Sequence, residues 1–336
     1  LLSSKKREDK KMHRRHVLVA VLAGATLLAT APLTTAAAQD WPSHPVKIIV
    51  GFAPGSSADQ LARLVAEGLT TALKQRFFVE YRQGNSGSIA ASFTARSASD
   101  GYTLMMAGSG PHITVPTLHP DIGYDPMKDF THIAMVAGDS YVLAANPTLG
   151  VHDIAGLIKL AKARSAPLTS SSPGPGSLGQ MLLEEFKRKA GIDITHVPAP
   201  DSGLMEVLGN HINMTLTVPL TAGEQIKAGK VIGLAMSSQT RNPAYPKIAT
   251  FTEQGFPEIT GATWFWLTAP KNLPPAIAEK LNNEVRRSLQ LPKAKAYFVQ
   301  QALLSEDLDL AGTTAFVGNE LAHWSALAKR VGMTAQ

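Results

Sequence analysis

Residues 46–59, VKIIVGFAPGSSAD, have the types and spacing expected of an anion-binding site. Residues 46–50 are apolar and mostly β-branched, which predicts a strand buried on both faces. Small and polar residues follow, and from Asp59 apolar residues recur every three or four positions, which predicts a turn and then a helix beginning near Asp59. The first N–H groups of a helix lack partners and carry partial positive charge, so a carboxylate or phosphate can bind there without a cationic side chain.

Two further stretches repeat this arrangement of a strand followed by small polar residues. Residues 102–107 predict a buried strand that ends in GSGP over 108–111, and residues 168–172 predict a strand that ends in PGPGS over 173–177. Ligands of open α/β sheets bind along the edge where the strands end. These loops are therefore candidate parts of one site, although any α/β protein also contains ordinary turns of this kind.

The residue types alone also allow other functions, namely hydrolysis, dinucleotide binding and metal binding. The serines at 56–57 and 170–172 could serve an exported hydrolase if a histidine and a carboxylate lie beside them, but loop serines are more often simple hydroxyl donors. Residues 174–179 match the dinucleotide pattern G-x-G-x-x-G, yet the preceding strand is polar and Pro175 restricts the turn. The histidines show no metal-binding spacing. We expect no metal, no cofactor and no catalysis.

The positive charge is concentrated at the N-terminus. Residues 1–16 hold seven Lys/Arg against two acidic residues, a net of +5, so residues 40–336 carry only +1 of the total of +6. Because a nucleic-acid-binding protein keeps its basic patch in the folded part, this distribution argues against nucleic acid as a partner.

The same N-terminal region predicts an export signal over residues 1–38. Basic residues precede the uncharged run 17–31, and the alanines at 36–38 offer a cleavage site near Ala38, while residues 1–11 are an extension if Met12 is the true start. A membrane anchor is the alternative, but the run is shorter than the roughly 20 residues that a span needs. With no cysteine and no anchor, the chain is expected in the periplasm.

The order of predicted elements indicates two α/β domains around a cleft. One βα series runs to about residue 143, a second follows, and the chain returns with a strand over 259–269. A length of 336 residues also favours two domains. The predicted domains are residues 39–143 with 258–336, and residues 144–257.

Six stretches occur in a characteristic order: WPSHPVKIIVGFAPGSSAD, DGYTLMMAGSG, YDPMKDF, ITHVPAP, QIKAGKVIGLAMSS and FWLTAPKNLP. Together they resemble the Bug-type (TctC-like) extracytoplasmic solute receptors of the tripartite tricarboxylate transporter, over residues 41–332. The resemblance implies a type II periplasmic-binding-protein fold, with two α/β domains around a ligand cleft. It also implies a monomer that captures a small carboxylated organic acid and delivers it to the membrane permease subunits.

The resemblance also assigns ligand-binding positions. They fall on the loops described above and on two later strand ends: Ala53, Gly55, Ser56, Ser57, Ser109, Gly110, Ser171, Ser172, Gly174, Ser177, Ala199 and Thr217. Asp59 is expected to cap its helix rather than contact the ligand. The family often has Tyr-Lys-Gly where this chain has APD at 199–201, and often a polar residue such as aspartate where it has Thr217. A ligand amine would lack a counter-ion there, so a plain or aromatic carboxylate is favoured over an amino acid.

The residues alone leave three functions open. The first is non-catalytic capture of a carboxylate by loop amides and serine hydroxyls at the start of the first long helix. The second is an exported serine hydrolase. The third is a periplasmic sensor whose loaded form contacts a signalling partner.

Overall fold

Two five-stranded sheets carry the loops that the sequence predicts to bind a ligand. The computed structural model describes residues 41–333 apart from Pro173 and Pro175, and it describes Pro200 and Asp201 in their backbone only. The predicted export signal over residues 1–38 and its cleavage site near Ala38 lie outside these residues. The elements below belong to His44–Gln336, which forms one compact unit.

The first sheet takes its strands from both ends of the described chain. They are β1 (Val46–Val50), β2 (Phe77–Tyr81), β3 (Thr103–Gly108), β4 (Phe130–Ser140) and β10 (Ala262–Pro270), in the spatial order β2-β1-β3-β10-β4. β1 is parallel to β2 and β3, whereas β10 is antiparallel to β3 and β4. Every residue of β3 is buried and only Lys47 of β1 is partly exposed, which confirms the prediction of strands covered on both faces.

The second sheet takes its strands from the middle of the chain. They are β5 (Val142–Ala145), β6 (Leu168–Ser171), β7 (Ile194–His196), β8 (Met214–Thr217) and β9 (Ile232–Met236), in the order β7-β6-β8-β5-β9. β6 is parallel to β7 and β8, and β5 is antiparallel to β8 and β9. The domain boundaries given above remain a prediction, since the sheets define where strands pair and not where domains separate.

Ten helices are described, and they pack against the two sheets and against one another. They are α1 (Ser57–Leu73), α2 (Ser88–Ala95), α3 (Val115–Leu118), α4 (Ile154–Ala163), α5 (Leu178–Ala190), α6 (Leu204–Leu208), α7 (Pro219–Lys227), α8 (Pro275–Leu289), α9 (Pro292–Gln301) and α10 (Leu310–Arg330). Short 3₁₀ turns lie at Asn85–Gly87, Pro147–Leu149 and Pro200–Gly203, and a π-helical turn lies at Gly110–Thr114. None of the described helices combines the length and apolar character needed to cross a bilayer.

The ends of α5 follow the local sequence, whereas the segment after β3 differs from its prediction. Ser177 caps α5 by accepting a hydrogen bond from the Gln180 amide at 3.2 Å, and Gly191 ends that helix in the left-handed conformation, as serine and glycine favour at these positions. Residues 113–130 are predicted to be irregular, but the π-helical turn and α3 occupy the start of this segment. Pro111 and Pro116 lie in the first turn of each, where a missing N–H breaks no hydrogen bond.

A one-residue connection brings the binding edges of the two sheets together. β1, β3 and β4 all end at one edge of the first sheet, because β10 is antiparallel to both β3 and β4. β6 to β9 end at the edge of the second sheet where β5 begins. Tyr141 alone separates β4 from β5, and one residue spans at most about 3.6 Å. The loops that leave these two edges therefore meet in one region.

The return crossing, after β9, is tied to the first by Ser237. The Ser237 hydroxyl accepts a hydrogen bond from the Tyr141 amide at 2.8 Å and donates one to the Gly261 carbonyl at 2.5 Å. The Ser237 amide also donates to the Tyr141 carbonyl, and the Gly261 amide donates to the Ser237 carbonyl. The two segments that cross between the sheets are thus held as one hydrogen-bonded hinge, formed by Tyr141, Ser237 and Gly261.

Two histidines are buried beneath the loop that follows β3. His112 packs edge-on against Phe130 and Trp266, and neither of its ring nitrogens has a hydrogen-bond partner within residues 41–333 as described. His132 accepts from the Trp266 indole at Nδ1 (2.9 Å), so its Nε2 carries the proton and donates to the Pro126 carbonyl. Burial lowers the pKa of His132 to about 4 and holds the pKa of His112 well below its usual value.

This pair makes the folded state sensitive to acid. A histidine whose pKa is lowered on folding binds its proton more readily in the unfolded chain, so stability falls as the pH drops below about 6.5 toward the folded pKa. We expect His112→Phe, which fills the same aromatic site without unpaired nitrogens, to raise the free energy of unfolding by about 2 kcal/mol more at pH 5 than at pH 8. Urea denaturation at both pH values measures this. The control is His152→Gln, at an exposed position, and an equal effect of His112→Phe at both pH values would contradict the expectation.

Candidate functional site

The start of α1 has the geometry of an anion site. Ser56 is the N-cap, with extended backbone angles, and its hydroxyl accepts from the Asp59 amide at 3.3 Å. Helix α1 therefore begins at Ser57, two residues earlier than predicted, because Ser56 and not Asp59 takes the capping position. Gly55 has a φ of +84°, a conformation that L side chains rarely adopt, and this turns the loop into the helix. Ala53 and Gly55 are exposed in this loop, and Ser56 and Ser57 are half-buried.

Asp59 is fully engaged within the protein. One carboxylate oxygen accepts from the Gly55 amide at 2.8 Å, and the other accepts from Arg63 at 2.9 Å and from the Tyr81 hydroxyl at 2.8 Å. Burial and the bond to Asp59 raise the pKa of Tyr81. These contacts hold the turn before α1 in place and agree with the expectation that Asp59 does not contact the ligand, although its role is to brace the loop and not to cap the helix.

Two amides at the start of α1 point to what this turn can bind. In the part of the chain that the structure describes, the Ser57 and Ala58 amides donate no hydrogen bond. The neighbouring amides are used, since that of Ser56 donates to the Ala53 carbonyl and that of Gln60 to the Ser56 carbonyl. Unpaired amides at a helix start attract an anion through their hydrogens and through the helix dipole.

Three loops meet beside this turn at backbone contact distance. A Cβ added to Gly51 would lie 2.7 Å from the Gly87 Cα, and one added to Gly110 would lie 2.9 Å from the Ser86 carbonyl. Only glycine allows such approaches without a shift of the backbone. The structure thus brings the predicted loops after β1 and β3 together and adds the turn Asn85–Gly87. The sequence identifies that segment as a turn but gives no sign that it joins the site.

Ser109 has a structural role in this group. It is buried, and its hydroxyl accepts from the Trp264 amide in β10 at 2.9 Å. Gly110 beside it is half-buried and opens the π-helical turn. The side chain of Ser109 therefore fixes the loop against the sheet, and the loop backbone faces the other two loops.

The second group of predicted residues surrounds the end of β6. The Ser172 hydroxyl lies 2.8 Å from His196 Nε2 and 3.2 Å from the Ser177 hydroxyl, and its oxygen is 3.3 Å from the Gly174 carbonyl. Burial lowers the pKa of His196, which favours its neutral form. His196 is not among the residues predicted from the sequence, and its position at the end of a short strand is the one local signal that it carries. This cluster is a polar network and not a charged pocket.

A second contact network links the ends of β6 and β8. The Ser171 hydroxyl donates to the Ser202 carbonyl at 2.6 Å, and the same carbonyl accepts from Thr215 in β8 at 2.5 Å. A Cβ added to Gly203 would lie within 2.9 Å of both Ser171 and Ala199, so the turn after β7 is packed tightly onto β6. Ser171 and Ala199 are therefore neighbours, as the predicted site requires.

Among the residues that the structure describes, three buried polar atoms where the two sheets meet have no hydrogen-bond partner. They are one oxygen of Asp139 and the hydroxyls of Ser140 and Thr217. Thr217 pairs with Val142, the second residue after Ser140. The other Asp139 oxygen accepts from the Leu220 amide at 3.3 Å, at the start of α7, and burial raises the pKa of this carboxyl well above its usual range.

These unpaired atoms lower the stability of the folded protein, and a ligand that forms hydrogen bonds with them would remove this penalty. A buried polar group without a hydrogen bond destabilises a protein by about 1–3 kcal/mol. Thr217 is one of the predicted ligand contacts, whereas Asp139 and Ser140 are not. The sequence predicts strands over 133–137 and 141–145 that lead out of the first domain, but it does not assign the residues between them to the site.

The two groups of predicted residues lie on different sheets. Within the described residues, no hydrogen bond joins the loops after β1 and β3 to the loops after β6, β7 and β8. Both groups of loops are uncharged at the predicted positions, since hydroxyls and amides provide their polar contacts. Among the described residues, no three His, Asp or Glu side chains come together as a metal site would require.

The contact between Ser172 and His196 does not form a hydrolytic triad. In such a triad a carboxylate holds the second nitrogen of the histidine. Among the described side chains, none makes a hydrogen bond to His196 Nδ1. The serine in turn bonds to the helix cap Ser177, so its hydroxyl is part of the loop structure.

Comparison with known proteins identifies the family of the chain. The family model for the tripartite tricarboxylate transporter family receptor matches residues 61–333. Protein BugT of Bordetella pertussis is 31% identical over 309 residues, which cover 91% of this chain and 95% of BugT.

Solved structures show the same architecture. Rpa4515 of R. palustris with adipate is 30% identical, with a TM-score of 0.82 over 88% of this chain and 100% of that one. MatC (Rpa3494) from Rhodopseudomonas palustris with bound malate is 26% identical, with a TM-score of 0.75 over 85% of this chain and 99% of that one.

These likenesses confirm the predicted periplasmic-binding-protein fold of two α/β parts. The matching family consists of receptors, which confirms the prediction of a binding protein and not an enzyme. Since the family model covers most of the sequence, the chain belongs to the tripartite tricarboxylate transporter receptor family.

Proposed function

We propose that this receptor captures a small carboxylated organic acid between the edges of its two sheets and delivers it to the permease subunits of a tripartite tricarboxylate transporter. The observation that carries the proposal is the start of α1, where the Ser57 and Ala58 amides are unpaired beside a serine cap. The adipate and malate bound by the two related structures support the same ligand class.

One carboxylate of the ligand lies at the start of α1. There it accepts from the Ser57 and Ala58 amides, and the Ser56 hydroxyl adds a third donor, because within the described residues its own proton has no acceptor. Burying such partial charges away from water costs less free energy than burying a full ammonium or guanidinium charge. The site therefore works without a lysine or arginine.

The far end of the ligand lies against the second sheet. Thr217 supplies an unpaired hydroxyl there, and Ser140 supplies another from the first sheet beside the hinge. Hydroxyls can donate to a second carboxylate or accept from a ligand hydroxyl. A side chain at 217 with no charge gives no counter-ion for a ligand amine, which favours plain or aromatic carboxylates over amino acids.

The cellular setting follows from the same proposal. The chain is exported with a signal over residues 1–38 that is cleaved near Ala38, and it acts in the periplasm as a monomer. The membership of a transporter receptor family supports this setting.

A thermal-shift screen tests the ligand class. Adipate, malate and aromatic carboxylates form the test set, and neutral sugars form the control. A ligand that binds only the folded chain stabilises it by about 2.7 kcal/mol at a hundred times its Kd, so at least one acid should raise the melting temperature. A shift with a sugar and none with any acid would contradict the proposal.

Ser57→Pro tests the amide contact directly. Proline is favoured at the first position of a helix, and the extended backbone of Ser56 suits a following proline, so the fold should be retained. We expect the acid found in the screen to bind about 10- to 100-fold more weakly, since one charge-assisted hydrogen bond is lost. The matched control is Ser57→Ala, which removes the hydroxyl and keeps the N–H, and calorimetric titration compares the two. Wild-type affinity in Ser57→Pro would exclude this amide as a contact.

Thr217→Val tests the second end of the site. Valine has the same shape and removes a hydroxyl that has no partner, so the free energy of unfolding should stay the same or rise. Affinity for a ligand with a second polar group should fall about tenfold, as the loss of one hydrogen bond implies. Thr215→Val in the same strand is the control, because Thr215 already bonds to the Ser202 carbonyl and its loss should reduce stability and not affinity. Unchanged ligand affinity in Thr217→Val would remove Thr217 from the site.

A further inference from the structure

A cavity of about 700 Å³ is separate from the predicted carboxylate site, since none of the predicted carboxylate-binding residues lines it. Its walls come from residues 237–244, residues 260–264, the end of α9 with the segment after it, and one face of α10. This volume is within the range of small-molecule sites, roughly 300–1,000 Å³.

The cavity wall is rich in aromatic rings. Trp264 and Trp324 are buried, and Phe316 packs edge-on against Trp264 with ring centroids 4.9 Å apart. A Cβ added to Gly261 would lie 2.6 Å from the Trp324 ring, so glycine at this position gives the indole its space. Phe298 at the end of α9 is also buried in this wall.

A carboxylate without a counter-ion lines the same cavity. Glu320 on α10 accepts from the Trp324 indole at 2.9 Å, and within the described residues it forms no ion pair. Burial raises the pKa of this carboxyl. The guanidinium in the lining, Arg241, is directed elsewhere, since it bonds to Glu253 at 2.9 Å and to the Pro246 carbonyl.

We propose that this cavity is a second ligand site, which binds a small organic cation with an apolar body. The half-buried Phe316 ring can attract an ammonium group through the negative quadrupole of its face, and Glu320 supplies the opposite charge. An apolar body gains from contact with the tryptophan and phenylalanine rings. An organic anion would instead face the Glu320 carboxylate with no unengaged cation among the lining lysine and arginine residues, so the ligand class differs from that of the carboxylate cleft.

The occupant would touch both ends of the return crossing, which begins at Ser237 after β9 and ends at Gly261 before β10. Ser237 and Gly261 line the cavity, and both belong to the hinge with Tyr141. Trp264 lines it too, and its amide donates to Ser109 in the loop after β3. The second site is thus connected to a carboxylate-binding loop by one residue, although it does not depend on the ligand proposed for the cleft.

Two probes with one carbon skeleton test the site: 2-phenylethylammonium and the neutral 2-phenylethanol. We expect 2-phenylethylammonium to bind in calorimetric titration and 2-phenylethanol to bind at least about tenfold more weakly, since a cation–π contact and an ion pair are lost. Because Trp264 and Trp324 line the cavity, binding of the cation should also change the indole fluorescence.

Variants locate the binding. Glu320→Gln keeps an acceptor for the Trp324 indole and removes the charge, and it should weaken the ammonium probe about tenfold with an unchanged melting temperature. Ser57→Pro, at the other site, should leave the affinity for this probe unchanged. Equal binding of the cation and the alcohol, full affinity in Glu320→Gln, or no saturable binding up to roughly 10 mM would overturn the proposal.

Discussion

The single residue between β4 and β5 is the constraint on which the rest of the structure depends. Tyr141 alone links β4 of the first sheet to β5 of the second sheet. The edges at which the parallel strands of the two sheets end must therefore lie side by side. Every loop that the family resemblance assigns to the ligand leaves one of these edges. Ser237 then ties the return crossing to Tyr141 through two hydrogen bonds and to Gly261 through two more, so its amide, carbonyl and hydroxyl together set the relation between the edges.

Neutral groups dominate the candidate site, and this has an energetic reason. A lysine or arginine placed between two sheets would lose its hydration and would need a partner in the empty site. Amides at a helix start and hydroxyls carry only partial charges. Leaving them without a hydrogen-bond partner while the site is empty therefore costs much less free energy. The buried Asp139 beside the hinge is the exception, and its raised pKa shows that the protein disfavours a full charge there.

Local sequence patterns predict several of the strands and helix ends that carry the site. The buried strands β1 and β3 follow from short apolar runs, and the ends of α5 follow from Ser177 and Gly191, because such features depend on neighbours within a few residues. The start of α1 was misplaced by two residues, since both Ser56 and Asp59 are good capping types and only the fold decides which one takes the position. The family and its receptor role were also accessible, because an ordered set of short stretches is specific even when each stretch is weak.

The sequence by itself determined the α/β class, the strand-loop-helix unit at 46–59 and the polar, uncharged character of the loops, since these properties reside in residue type and local spacing. Only the tertiary structure decided that Asn85–Gly87 joins the loops after β1 and β3, that His196 meets Ser172, and that Glu320 faces a cavity between two tryptophans. Each of these contacts joins residues from separate strands, helices or turns, and pairings of that kind depend on how the sheets close and cross, which no local pattern records.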